Sequence, residues 1–194
     1  SAVIVLFMIF DGAIKLPPLD IVTQTMVQLG WPADPNVARM LGIIGGSGLD
    51  RIEYLQVTRC QPCTTPYGEP SAPLSFGTLR GHELVFLPRH GPDHTIAPHR
   101  INYRANLWAM HSMGVRSIVT PCSVGSLQPD IHPGQLLVID QVVDRTWGRP
   151  DTFHDVGGPA GEPGTGGPVH HQSFADPYDP VLRANLVLAG RRTG

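Results

Sequence analysis

Three apolar stretches, each stopping abruptly at glycine, proline or a small polar residue, limit the folds open to this chain. They are "LGIIGG" at 41–46, "HELVFLP" at 82–88 and "VRSIVT" at 115–120. Apolar runs without polar alternation are typical of strands buried on both faces of a sheet. Between the last two, residues 101–113 have helical apolar spacing, and Gly114 provides a C-cap. This order predicts an α/β sheet that helices cover on both faces.

Two later segments extend this pattern. "GQLLVIDQVV" at 134–143 follows a Pro-Gly turn and predicts a further strand. "DPVLRANLVLAG" predicts a helix with Asp179 at the N-cap, Pro180 at the first helical position and Gly190 at its end. Between the two segments, residues 157–168 are mostly Gly and Pro and predict a flexible surface loop.

The first 39 residues differ in character from the rest of the chain. Their apolar run "AVIVLFMIF" is too short to span a bilayer and lacks the basic start and cleavage site of a secretory signal. Clean strand-and-turn patterning begins at Met40, which we expect to be the natural start. The predicted organisation is an N-terminal extension over 1–39 without a functional role, and one domain over 40–194.

Charge and cysteine content exclude several classes of protein. The net charge is −2 and no basic block occurs, which argues against a nucleic-acid partner and against a membrane-binding patch. Cys60, Cys63 and Cys122 form no disulfide framework, and no second motif completes a zinc set with the CxxC pair. We interpret Cys60 and Cys63 as reduced thiols in a loop, in a reducing compartment such as the cytoplasm.

The glycine-rich turn "GGSGLD" at 45–50 follows the first strand directly. It is not a dinucleotide fingerprint, because Arg51 stands where the third glycine is required, and no Gly-Lys-Ser/Thr makes it a P-loop. Two interpretations stay open. The segment is an ordinary turn, or its backbone N–H groups and the Ser47 hydroxyl face an anion.

The stretch "FLPRHGPDHTIAPHRINYRAN" at 86–106 is rich in histidine and arginine. Arg89 and His90 come directly after a predicted strand, at the sheet edge where α/β proteins bind ligands. A metal site is disfavoured, because His90, His94 and His99 lie in a proline-containing loop among arginines and no HExxH pattern exists. We therefore predict an anion site without metal.

A third strand end carries "TPCSVGSL" at 120–127. Its small polar residues can form another nest of N–H donors. A nucleophilic role for Cys122 or Ser123 stays open, although the segment is not a GxSxG elbow. If the three strands are neighbours, their ends converge on one oxyanion.

Taken together, the ordered motifs resemble the methylthioadenosine phosphorylase branch of the trimeric purine nucleoside phosphorylases. They are "IIGGSGLD", "TPYGEPSAP", "LPRHGPDHTIAPHRINYRANLWA", "CSVGSL", "DQVVDRT" and "FADPYDP". The resemblance implies a three-layer αβα sandwich of the nucleoside phosphorylase type. It also implies phosphorolysis of a purine nucleoside, most simply 5′-methylthioadenosine, by a homotrimer with inorganic phosphate as co-substrate and no cofactor.

The same resemblance implies roles for individual residues. Phosphate would be held by Ser47, Arg89, His90, Cys122 and Ser123. His171 would reach the 5′ pocket of a neighbouring subunit.

The family's ribose-binding segment and purine-protonating Asp have no counterpart before residue 194. We therefore interpret the chain as C-terminally truncated, leave the catalytic residue unassigned and expect weak or no turnover. Inosine, guanosine and methylthioinosine stay alternative substrates. A non-catalytic phosphate-binding remnant and a metal-dependent hydrolase are the competing hypotheses.

Overall fold

The computed structural model describes residues 40–49, 52, 54–153 and 173–193. In chain order its elements are β1 (Met40–Gly45), β2 (Gln56–Gln61), β3 (Leu74–Leu79), β4 (His82–Pro88), a 3₁₀ turn (Pro98–Arg100), α1 (Tyr103–Ser112), β5 (Val115–Val119) and α2 (Pro180–Thr193). The predicted extension 1–39 and the Gly/Pro-rich loop 157–168 lie outside the described residues. Within the described ranges, no helix is both long and apolar enough to cross a membrane.

The five strands form one mixed sheet in the order β2-β3-β4-β1-β5. β1 runs parallel to both of its neighbours, β4 and β5, whereas β2, β3 and β4 are joined antiparallel. Gly45 pairs with Pro88, and Ile43 pairs with Val119. The three parallel strands therefore end at the same edge of the sheet.

The two faces of this sheet pack into separate apolar clusters, because side chains alternate along each strand. The first cluster includes alternate strand residues and the buried side of α2: Leu41, Ile43, Leu84, Phe86, Leu182, Leu186 and Ala189. The second includes the intervening residues and the buried side of α1: Ile44, Val85, Leu87, Ala109 and Met110. One helix thus covers each face. This confirms the predicted α/β fold with its three layers.

β2 and β3 have no counterpart among the predicted strands. β2 exposes nearly all of its residues, so "QVTRCQ" has no apolar alternation to reveal it. It approaches β3 closely at Gly77, where a Cβ atom would crowd the carbonyl oxygen of Gln56. Cys60 lies in β2, and the prediction of a loop at that residue is wrong. Both Cys60 and Cys63 are free thiols.

The predicted strand at 134–143 is also wrong, because these residues have no strand conformation. A strand needs a hydrogen-bonded neighbour, and within the described ranges the sheet ends at β5. The apolar side chains Leu136, Val138 and Ile139 instead pack, partly buried, against the first cluster. The segment is therefore apolar because it covers the core.

The predicted caps Gly114 and Asp179 are confirmed, and the structure adds a cap at Asn102 that the sequence analysis did not assign. Asn102 caps α1 by accepting from the N–H of Ala105 (3.1 Å), and Gly114 has the left-handed φ of +91° that ends this helix. Asp179 caps α2 by accepting from the N–H of Leu182 at 2.8 Å. The predicted end at Gly190 is wrong, because α2 continues to Thr193.

Asn106 connects α1 to the loop before β3, and replacing it with alanine tests this connection. Its side chain is 1% exposed, accepts from the Ser71 N–H (2.7 Å) and donates to the Ser71 hydroxyl (2.9 Å). We expect Asn106→Ala to lower the free energy of unfolding by about 2 kcal/mol in urea titrations, because two hydrogen bonds are lost. His111→Ala, on the exposed side of α1, is the control and should change it by less than about 0.5 kcal/mol. Equal losses in the two variants would contradict this role for Asn106.

Candidate functional site

The loops after β1, β4 and β5 leave the sheet at one edge, because these strands run parallel. Ser47 follows β1, Arg89 and His90 follow β4, and Cys122 and Ser123 follow β5. The structure therefore brings these five candidate residues to the same edge. In open α/β sheets, ligands bind at the carboxyl ends of the strands.

Arg89 connects all three strand ends. Its backbone N–H donates to the carbonyl of Gly45 at 3.0 Å, which aligns the end of β4 with that of β1. Its guanidinium lies directly on Gly46, at a place that a Cβ atom would occupy. Its Nη1 donates to the carbonyl oxygen of Pro121, after β5, at 2.9 Å. A glycine is therefore needed at position 46, because a Cβ atom there would overlap the Arg89 side chain.

The guanidinium of Arg89 has no carboxylate partner in the described part of the chain. The ion pair found among the described residues instead joins the guanidinium of Arg183 to the carboxylate of Asp140 at 3.2 Å. The Arg89 side chain is half-buried. A guanidinium carries several N–H donors, so the bond to Pro121 leaves others for a ligand. A half-buried cation with no counter-ion among the described residues favours binding of an anion, because burial weakens its solvation.

The turn after β1 presents polar groups next to this guanidinium. It is closed by a hydrogen bond from the N–H of Leu49 to the carbonyl of Gly46 at 2.8 Å. Gly48 has a φ of +79°, a left-handed conformation that favours glycine. Ser47 is exposed between the two glycines. Its hydroxyl is therefore accessible at the edge of the sheet where Arg89 lies.

His90 is buried, with 5% of its surface exposed. Its Nδ1 lies 2.8 Å from the carbonyl oxygen of Ile96. A carbonyl only accepts hydrogen bonds, so Nδ1 carries the proton. Nε2 is then the ring atom that remains for a ligand. The ring of His94 stacks on His90 with 4.5 Å between centroids.

Sequence reasoning missed two hydroxyl groups next to the third strand end. Thr120 and Tyr178 are 6% and 8% exposed, and neither the Thr120 Oγ1 nor the Tyr178 hydroxyl has a hydrogen-bond partner in the described structure. Burial raises the pKa of the Tyr178 hydroxyl, and the charge of the Cys122 thiolate raises this pKa further. Tyr178 directly precedes the N-cap of α2, so this helix begins within electrostatic range of Cys122. The available signal was the motif "FADPYDP", whose aromatic residue adjoins a helix cap.

Two further histidines, His171 and His99, add no described contact to the site. His171 lies outside the described residues. His99 is exposed in the 3₁₀ turn. Across the described ranges, no three His, Cys, Asp or Glu side chains are grouped so as to hold a metal ion. The absence of metal stays a prediction for the whole chain.

Comparison with known families identifies the fold. The family model described as "Phosphorylase superfamily" matches residues 40–194. The chain belongs to this superfamily. The region that the family model matches starts at residue 40, which is the first residue of β1.

Curated relatives of the chain are named as nucleoside phosphorylases. The S-methyl-5'-thioadenosine phosphorylase of Mycolicibacterium smegmatis is 52% identical over 145 residues, which cover 75% of this chain and 51% of that protein. The purine nucleoside phosphorylase of Streptomyces coelicolor is 50% identical over 160 residues, covering 80% of this chain and 54% of that protein. The chain thus spans about half the length of these relatives.

Solved structures of the superfamily have the same fold. The methylthioadenosine phosphorylase of Schistosoma mansoni in complex with adenine superposes with a TM-score of 0.65 at 40% identity, over 72% of this chain and 48% of that one. A mutant of the enzyme in complex with methylthioadenosine gives a TM-score of 0.64 at 39% identity, over 72% of this chain and 47% of that one. These likenesses confirm the nucleoside phosphorylase fold.

The unpartnered hydroxyl of Thr120 predicts an unusual response to substitution. Thr120→Val keeps the shape of the side chain and removes a buried donor that has no acceptor among the described residues. We therefore expect the free energy of unfolding to stay equal or rise by about 1 kcal/mol. Thr65→Val is the matched control. Thr65 is also buried, but its hydroxyl donates to the Gly68 carbonyl at 2.6 Å and accepts from the Tyr67 N–H at 3.1 Å.

In the same urea titrations, Thr65→Val should therefore lower the free energy of unfolding by about 1–3 kcal/mol. A comparable loss in Thr120→Val would show that the Thr120 hydroxyl has a partner in solution.

Proposed function

We propose that this chain contains the phosphate-binding part of a nucleoside phosphorylase, in which Ser47, Arg89, His90, Cys122 and Ser123 hold inorganic phosphate. The observation that carries the proposal is the position of Arg89. Its half-buried guanidinium lies on Gly46, bonds to the carbonyl of Pro121 and has no carboxylate partner in the described structure. The other N–H groups of this guanidinium are left to bind an anion at the strand ends. A phosphate suits them, because its oxygens can accept two of these hydrogen bonds.

The proposed reaction is phosphorolysis of 5′-methylthioadenosine. A phosphate oxygen attacks C1′ of the sugar, the C1′–N9 bond breaks, and adenine and 5-methylthioribose 1-phosphate are formed. The substrate is inferred from the names of relatives, among them the M. smegmatis enzyme and the S. mansoni enzyme solved with adenine. Inosine, guanosine and methylthioinosine are the alternative substrates, and among the relatives the S. coelicolor protein is named a purine nucleoside phosphorylase.

The site residues contribute charge and position to this reaction. Arg89 supplies the positive charge that holds the phosphate, and Nε2 of His90 is available for a hydrogen bond to one of its oxygens. Ser47 adds a hydroxyl, and the loop after β5 adds Cys122 and Ser123. A phosphate held by groups from three strand ends has few orientations left, which lowers the entropic cost of bringing its oxygen to C1′.

The remaining assignments rest on the family. We infer that residues 40–194 form the phosphorylase part of the chain and that 1–39 is an extension outside it. His171 is proposed to reach the 5′ pocket of a neighbouring subunit in a homotrimer. Phosphate is the co-substrate, no cofactor takes part, and the cytoplasm is the proposed location. The group that protonates the purine is unassigned.

Phosphate binding to this chain tests the site directly. We expect calorimetric titration with inorganic phosphate to show binding that Arg89→Ala weakens at least tenfold, because a charged hydrogen-bond donor is lost. Gly46→Ala should weaken binding similarly, since its methyl group takes the place of the guanidinium.

The double variant Gly46→Ala/Arg89→Ala provides the control for this mechanism. If Gly46 acts only through Arg89, then Gly46→Ala has no further effect once Arg89 is alanine. Additive losses would contradict the contact, and unchanged phosphate affinity in Arg89→Ala would remove Arg89 from the site.

Release of adenine distinguishes the three functional hypotheses. We expect the chain to release adenine from 5′-methylthioadenosine weakly, only with phosphate present and without inhibition by EDTA. Phosphate binding with no detectable release would favour the non-catalytic remnant. Release without phosphate that EDTA abolishes would favour a metal-dependent hydrolase. Chromatography of the free base measures all three outcomes.

A further inference from the structure

His94 covers the ring of His90. The two imidazole centroids are 4.5 Å apart and the ring planes are inclined by 31°. His94 is exposed, whereas only 5% of His90 is exposed. One face of the buried imidazole is therefore shielded by an exposed one from the same loop.

The loop backbone is folded so that His94 returns onto His90. The N–H of Gly91 donates to the carbonyl of Pro88 (3.1 Å), and the N–H of His94 donates to the carbonyl of Gly91 (3.3 Å). The N–H of Ile96 then donates to the carbonyl of His90 at 2.9 Å. Gly91 has a φ of +80°, which suits a glycine in such a turn.

His94 itself has a left-handed backbone conformation, with a φ of +53°. This conformation is uncommon for residues other than glycine and costs free energy, although histidine tolerates it better than most. Residues held in this way are concentrated at functional sites. The ring stack on His90 is a contact that this backbone conformation makes possible.

A single hydrogen bond does not define the plane of the His90 ring. The bond from Nδ1 to the carbonyl oxygen of Ile96 holds one ring atom at 2.8 Å, and this bond by itself does not prevent a tilt about that atom. A second ring lying against its face restricts the tilt. Together the two contacts restrict the direction of Nε2.

We propose that His94 is a positioning residue of the phosphate site: its imidazole holds the His90 ring in the plane that presents Nε2 to phosphate. The inference rests on the proposed phosphate-binding role of His90 and adds a residue that does not itself touch the ligand. A ring that is already oriented loses little side-chain freedom when phosphate binds. Without the stack, that freedom is lost on binding and weakens the affinity.

The test uses this chain labelled with 15N-histidine and titrated with inorganic phosphate at constant pH. In the unsubstituted chain we expect the His90 Nε2 resonance to shift with phosphate while Nδ1 stays protonated. His94→Asn removes the ring and keeps a side chain that tolerates the left-handed backbone. We expect it to bind phosphate roughly threefold to tenfold more weakly, the effect of one side chain gaining mobility, with an unchanged midpoint of thermal unfolding.

Two further variants separate stacking from other effects. His94→Phe keeps an aromatic face without ring nitrogens and should restore most of the phosphate affinity. His99→Asn makes the same change as His94→Asn at the exposed histidine of the 3₁₀ turn and should leave the affinity unchanged. If His94→Asn does not fold, His94→Phe decides, since weak binding by this folded variant would overturn the stacking role.

The outcomes distinguish this inference from the proposed function. If phosphate shifts the His90 Nε2 resonance equally well in His94→Asn, this result overturns the role of His94 and leaves the phosphate site in place. No response of His90 to phosphate in the unsubstituted chain would overturn the phosphate role of His90, and the inference with it. Weaker binding in His94→Asn that His94→Phe restores would support both.

Discussion

The contact between the guanidinium of Arg89 and Gly46 is the constraint on which the site depends. A charged group of this size fits between the ends of β4, β1 and β5 only because Gly46 has no Cβ. Its bond to the carbonyl of Pro121 connects the guanidinium to the loop after β5. The contact thus joins three segments that are distant in sequence, and it leaves a positive charge at the sheet edge.

The parallel arrangement around β1 makes this contact possible. Because β1 lies between β4 and β5 and all three run in the same direction, their carboxyl ends form one edge. α1 and α2 bury the two faces of the sheet and leave that edge open to the loops. Asn102 and Asn106 connect α1 to the loop before β3 through hydrogen bonds to Tyr67 and Ser71. The helices therefore support the loops as well as the core.

His90 and His94 illustrate how different two residues of one motif can be. His90 is buried and bonded through Nδ1 to Ile96, so its tautomer is determined by the loop. His94 is exposed and strained in its backbone, and its ring lies on that of His90. In the sequence both are simply histidines of a proline-containing loop. Their spacing contains no information on which one is buried, because the turn at Gly91 reverses the chain between them.

Hydrophobic pattern and capping residues determined much of this protein without its tertiary structure. Buried strands, whose residues are apolar on both faces, were predictable at β1, β4 and β5, and so were the caps Gly114 and Asp179, because these features depend on neighbours along the chain. β2 was not predictable, since an exposed edge strand needs no apolar pattern, and 134–143 is apolar without being a strand. Only the tertiary structure decided that Gly46 gives room to Arg89 and that His94 lies on His90. It also decided that the buried hydroxyls of Thr120 and Tyr178 have no hydrogen-bond partner within the described part of the chain. Each of these depends on atoms that folding brings together from separate segments or across a turn.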